Sequence, residues 1–154
     1  MRVLVAAVGR PKHRDIAAAI ADYERRAARY WPLELREVRE EPARGRSADA
    51  VRSREGERLL AAAGLPGALV ACDAEGTLMR SAEFAGWLRE LRDGGRDVAF
   101  VIGGAYGLSE EVRTRSTRLL ALARWTLPHE LARLVLAEQL YRAGTIWRGE
   151  PYHK

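Results

Sequence analysis

Cysteine is almost missing from this chain of 154 residues. Cys72 stands alone, which excludes an internal disulfide and any zinc site built on cysteine. Histidine is scarce too: His13, His129 and His153 lie far apart and lack the carboxylate spacing of metal motifs, so no metal is expected. No apolar run approaches the roughly 18 to 20 residues that cross a bilayer. The opening MRVLVAAVGR is too short for a signal peptide's charged and apolar regions, and the expected location is the cytoplasm. Repeats, linkers and low-complexity stretches are absent. Lysine occurs only at 12 and 154, which leaves no lysine near any glycine-rich turn.

What is present is arginine. Lysine and arginine together number 26 against 21 acidic residues, a formal charge of +5. A basic surface raises the local concentration of phosphate-bearing partners, and the arginine fork binds phosphate bidentately. Nucleic acid is therefore a plausible partner, although a GC-rich genome explains much of the arginine skew.

The length suits one domain spanning 1–154. RVLVAAV (2–8), ALVACD (68–73) and DVAFVIGG (97–104) read as buried strands. LELREVRE (33–40) alternates imperfectly, as an edge strand does, and LLALARWTL (119–127) is read as a further strand. Helical spacing runs over 15–31, stopped by Pro32. It recurs from Ser47 or Asp49 to Ala63, from a Ser81 cap to Asp93, from Ser109 to Ser116, and over 129–146. EPARGRS (41–47) is read as a loop. Strands alternating with helices imply an α/β fold with a mostly parallel sheet covered on both faces, whose ligands bind beyond the carboxyl ends of the strands. Cys72-Asp73, Gly103-Gly104 and ARWTLP (123–128) are all expected at that edge.

FVIGGAYGLS (100–109) reads G-G-x-x-G after a late strand. A dinucleotide fold needs G-x-G-x-x-G after its first strand, and a P-loop needs a lysine, so both phosphate readings fail. Two readings stay open for the glycines: turn geometry alone, or close approach of main chain to a ligand.

In order along the chain, RVLVAAVGRPK, DGGRDVAFVIGG, FVIGGAYGLS, TLPHELARLVLAEQLYRAGTI and PYHK together resemble the ribosomal RNA large subunit methyltransferase H family of the SPOUT class, over essentially the whole length. The resemblance implies a deep trefoil knot in the C-terminal part and S-adenosyl-L-methionine as methyl donor. It also implies a homodimer whose active sites combine one protomer's knot with the other's tail. The substrate it implies is 23S rRNA within the assembled ribosome, methylated at N3 of a pseudouridine in helix 69. Carried over by position, Cys72, Gly104, Ala123, Arg124, Trp125, Thr126, Leu127 and Pro128 should contact the donor. Cys72 stands where the family usually has leucine, and Ala105-Tyr106 where it often has Pro-Glu.

On the last helix, Glu138 and Arg142 are four apart, which suits either an intrahelical ion pair or a role in positioning RNA. His129 reads as a helix-start residue or a substrate contact. Arg133 and Arg142 are candidates for phosphate or anion contact. In the tail, His153 is the candidate for proton removal or orientation, because unperturbed histidine titrates near neutrality. Tyr152 and Lys154 are expected to stack and to bind phosphate beside it. Three rivals stand alongside: a ribosome-associated factor that kept the fold without catalysis, a nucleotide-binding α/β domain, and a related SPOUT enzyme acting on transfer RNA or a 2′-hydroxyl.

Overall fold

The computed structural model describes residues 1–152, in which strands and helices alternate. In chain order they are β1 (Val3–Val8), α1 (Arg14–Ala27), β2 (Leu33–Val38), α2 (Ala48–Ala63) and β3 (Ala68–Leu78), then α3 (Ser81–Asp93), β4 (Val98–Ile102), α4 (Glu110–Arg115), β5 (Arg118–Ala121) and α5 (His129–Arg148). The strands form one sheet in the order β2-β1-β4-β3-β5, and every pairing is parallel.

The pleat explains the two layers. Val3, Val5 and Ala7 of β1 and Val98, Phe100 and Ile102 of β4 face α1, α3 and α5. Leu4, Ala6 and Val8, with Ala99 and Val101, face α2 and α4. Both faces are covered, so β1 and β4 are buried at every position and read as unbroken apolar runs. The edge strand β2 instead exposes Leu35, Arg36 and Glu37.

Beyond shifts of one or two residues, as at the ends of β2 and α5, four differences from the sequence reading have a packing cause. The first helix stops at Ala27 rather than reaching Trp31. The chain turns there so that Trp31 enters the core, where its indole N–H donates to the Leu140 carbonyl at 2.8 Å. Ser81 lies inside α3 rather than capping it. Its hydroxyl donates to Gln139 at 2.8 Å, and Glu83 accepts from the Arg80 N–H at 2.8 Å in the capping role. The strand after Ala68 continues to Leu78: Cys72 and Thr77 both register with Leu120, so residues 73–76 bulge out between them. Finally β5 ends at Ala121, not 127, because its only neighbour β3 ends opposite it at Leu78 and no further ladder partner remains. Residues 122–128 leave the sheet and lead into α5. The carboxyl ends of β4 and β5 thus open on either side of the β3 bulge.

Candidate functional site

At that edge lies a cleft of about 600 Å³, a size typical of small-molecule sites. Its walls come from three segments: Cys72 to Ala74 at the start of the β3 bulge, residues of the turn from Ile102 to Leu108 at the end of β4, and residues of the stretch from Leu122 to Ala132 after β5. Of the eight residues expected at the donor, Cys72, Gly104, Ala123, Trp125, Thr126, Leu127 and Pro128 all line it, and Arg124 does not. His129 lines it too, and its Nε2 is buried with no hydrogen-bond partner among the described residues. Asp73 is the only Asp, Glu, Lys or Arg among the lining residues.

The glycine turn answers differently at each position. A methyl group added at Gly103 would meet the Gly107 carbonyl carbon and oxygen at 2.7 Å, because Gly107 folds back and donates its N–H to the Gly104 carbonyl at 3.1 Å. At Gly104 the methyl would meet Glu55 Oε2 at 2.8 Å and Val8 at 3.0 Å. Gly107 has open space around it but sits at φ +82°, where only glycine is comfortable. The room kept clear at Gly103 and Gly104 is thus on the protein side of the turn. It brings the main chain to the cleft wall by letting the turn fold tightly on itself and on α2.

Glu55 is 4 % exposed. One of its carboxylate oxygens accepts from the Glu41 N–H at 3.0 Å and the other has no partner. Burial is the main cause that pushes this carboxyl above the usual range. The sequence does carry a signal for it: Val51, Glu55 and Leu59 fall four apart on the buried stripe of α2. Asp73, at the cleft rim, pairs with Arg113 of α4 at 3.0 Å, and Arg113 also reaches Glu75 at 2.7 Å. Cys72 packs against the core, and burial pushes its thiol up to about 12. It is a neutral apolar wall at physiological pH, not a nucleophile.

The last helix separates the other expected residues. Arg133, expected at RNA phosphate, is 8 % exposed and lies in an ion-pair triad instead. Its Nε meets Glu24 at 2.7 Å and its Nη1 meets Glu37 at 2.8 Å. These partners tie α5 to α1 and β2 and engage all three guanidinium nitrogens. Arg142 pairs with Glu138 at 2.6 Å, and its guanidinium lies 4.9 Å over the Tyr152 ring. The Tyr152 hydroxyl donates to Glu138 at 3.1 Å and lies 3.4 Å from the Tyr23 hydroxyl; its ring packs 4.6 Å from Tyr141. Burial, with these partners, raises the Tyr152 hydroxyl well above the usual phenol range. Arg142 and Tyr152 therefore lie together, and neither is among the residues lining the cleft. His153 and Lys154 lie outside the described residues.

Residues 1–153 match the family described as "Predicted SPOUT methyltransferase". The chain is 62% identical over 154 residues, all of both chains, to the ribosomal RNA large subunit methyltransferase H of Gemmatimonas aurantiaca. It is 51% identical, again over all of both, to the protein of the same name from Anaeromyxobacter sp. strain Fw109-5. Among solved structures, a probable methyltransferase from Bordetella pertussis Tohama I aligns over 92% of this chain and 95% of its own, with 22% identity and a TM-score of 0.55. A probable methylase family protein from Haemophilus influenzae Rd KW20 aligns over 99% and 70%, with 16% identity and a TM-score of 0.59. These two share the fold. A parallel sheet with its cleft at the β3–β4–β5 edge and full-length identity of this order lead to one conclusion: the chain belongs to the SPOUT methyltransferases, in the ribosomal RNA large subunit methyltransferase H family.

Proposed function

We propose that this chain, acting as one domain and as a cytoplasmic homodimer, methylates N3 of a pseudouridine in helix 69 of 23S rRNA within assembled ribosomes. The methyl donor is S-adenosyl-L-methionine. The observation that carries this reading is the chemistry of the cleft: main chain and mostly apolar side chains with Thr126 and His129, no lysine or arginine, and Asp73 as the one carboxylate among the lining residues. Such walls suit an adenine and a cationic sulfonium and are poor for phosphate. The names of the relatives, which specify large subunit ribosomal RNA, support the substrate class.

When bound, the donor supplies an electrophilic methyl group on a sulfonium. The residues of this chain do the rest. Main chain of 103–107 and 122–128 is suited to hold the adenine edge and the methionine, while Ile102, Leu122 and Leu127 exclude water. The imide nitrogen of the target becomes nucleophilic only as its proton leaves. His153 is the group assigned to take that proton, and Arg142 the cation that favours the resulting anion. Tyr152, held protonated, donates a hydrogen bond rather than accepting a proton.

Distance along α5 supports the dimer. Glu138, which holds Tyr152, lies six residues beyond Ala132, the last residue of α5 that lines the cleft, about 9 Å at 1.5 Å per residue. Reacting atoms must come within about 3–3.5 Å, so a tail anchored at Glu138 serves a cleft on another copy better than its own. A threaded C-terminal segment, the trefoil knot of the SPOUT class, belongs to the same proposal: after the sheet-edge strand β5 the chain returns to pack α5 on α1 and α3.

The test is label transfer from methyl-labelled donor to intact ribosomes and to protein-free 23S rRNA, with nucleoside mass spectrometry of helix 69. Methylated pseudouridine on ribosomes, with weak activity on free RNA and steep loss with salt, is expected. Equal turnover on both substrates, or a product other than N3-methylpseudouridine, overturns the proposal.

A further inference from the structure

We infer that Trp125 and Tyr106 form a clamp at the mouth of the cleft that stacks on one unpaired base of the RNA substrate; this rests on the RNA-methylating function proposed above. Trp125 belongs to the loop expected to wrap the donor and lines the cleft, yet the residue is 82 % exposed. The other three tryptophans are covered. Trp31 is buried, Trp87 lies 6.0 Å from Phe84, and Trp147 lies 6.1 Å from Trp31 beneath Arg92. A cofactor-enclosing role does not explain an indole left this open.

Tyr106 is the exposed aromatic of the facing lip. It is 45 % exposed and, though not itself a lining residue, sits between Ala105 and Gly107, which both line the cleft. Arg52 of α2 donates to its carbonyl at 3.3 Å. The two lips follow β4 and β5, which are separated only by β3. At about 4.8 Å per strand, their bases stand roughly 10 Å apart. Two ring-to-base contacts at about 4.5–7 Å each span roughly 9–14 Å, so one planar base is the occupant of matching thickness.

The surroundings favour a base over a second copy of this chain. Trp125 is flanked by exposed Arg124 and Thr126, whereas the core of a protein–protein interface is apolar and depleted in charge. An exposed aromatic beside arginine, on a chain of net charge +5, is the composition of a single-strand stacking platform. Such a platform reads whether a base is unpaired and splayed out rather than which base it is.

The experiment uses the full chain with ribosomes as substrate. Trp125→Ala is expected to raise KM for ribosomes about 5- to 150-fold, the loss of one stacked base at tenfold per 1.4 kcal/mol, with donor affinity within about twofold of the parent. Trp125→Phe retains most of the affinity, and Tyr106→Ala acts in the same direction. A short uridine-containing single strand quenches the tryptophan emission of the parent and not that of Trp125→Ala. An unchanged KM, a loss that falls on donor affinity by calorimetry, or a shift of Trp125→Ala to monomer in sedimentation each overturns the clamp. If the parent fails to methylate ribosomes, the proposed function fails; the quenching measurement still decides the clamp.

Discussion

Replacing Arg133 distinguishes a structural cation from an RNA contact. Its guanidinium makes three hydrogen bonds: Nε to Glu24 Oε1 at 2.7 Å, Nη2 to Glu24 Oε2 at 3.3 Å, and Nη1 to Glu37 Oε1 at 2.8 Å. The Arg133 and Glu24 side chains are each 9 % exposed. In Arg133→Ala, Glu24 keeps its burial and loses its partner, while Glu37 retains a neighbour in Arg10 at 3.1 Å. Removing one member of a buried pair costs about 3–5 kcal/mol, because the charge left behind is unsolvated. For a chain of this size each kcal/mol lowers Tm by about 2–4 °C, so a drop of roughly 6–20 °C is expected in calorimetry or circular dichroism. Arg133→Lys keeps the charge and loses the two-pronged contact, and should fall between. Replacing Glu24 and Arg133 together by leucine should recover much of the loss, since apolar replacement of a whole buried pair is often neutral. A residue whose role is RNA contact gives the opposite pattern: unchanged melting, weaker ribosome binding and a shallower salt dependence. That pattern in Arg133→Ala would refute the reasoning.

Gly103→Ala should lower stability by about 1–3 kcal/mol, as overpacking does, and weaken donor binding, because the methyl presses on the Gly107 carbonyl with no side chain to yield. Gly107→Ala should cost about 1–2 kcal/mol through its left-handed backbone alone; equal tolerance of both in thermal melts and calorimetry counts against the turn's two separate constraints. Cys72, with its thiol moved by burial from near 9 up to about 12, should resist thiol reagents in the native state at pH 8 and react once the chain unfolds. In the unfolded chain this thiol ionises above about 9, while the folded one stays protonated, so its contribution to stability is complete below pH 9 and is lost as pH rises towards 12. Cys72→Ala should therefore flatten the alkaline decline in urea midpoints. Tyr152→Phe removes the hydrogen bonds to Glu138 and Tyr23 but keeps the Tyr141 packing. Methylation should fall while stability changes by about 0.5–1.5 kcal/mol, and a loss of melting temperature with full activity would contradict the assignment.

Local pattern was enough for much of this molecule. Apolar runs at 2–8, 68–73 and 97–104 announced strands buried on both faces, and their alternation with helical spacing implied a parallel sheet. The order of its motifs marked the family. Seven of the eight donor residues carried over by that resemblance do line one cleft. Even Glu24 and Glu55 had a trace: each interrupts the apolar stripe of its helix, Ile20-Glu24-Ala27 in α1 and Val51-Glu55-Leu59 in α2.

Tertiary structure decided what those interruptions meant, because partners distant in sequence leave no periodicity. Arg133 finds Glu24 across 109 positions, and no spacing within α5 distinguishes that arginine from one facing RNA. The bulge at 73–76 and the end of β5 at Ala121 depend on which strand lies alongside. Gly103 and Gly107 look alike in a string of letters, yet one is required by contact and the other by its backbone angle. Trp125 sits in a run assigned to the donor, and only packing shows its ring turned outward. Periodicity reports which face of an element is apolar. Which other element meets that face, and what remains uncovered, follows from the close packing of the whole chain.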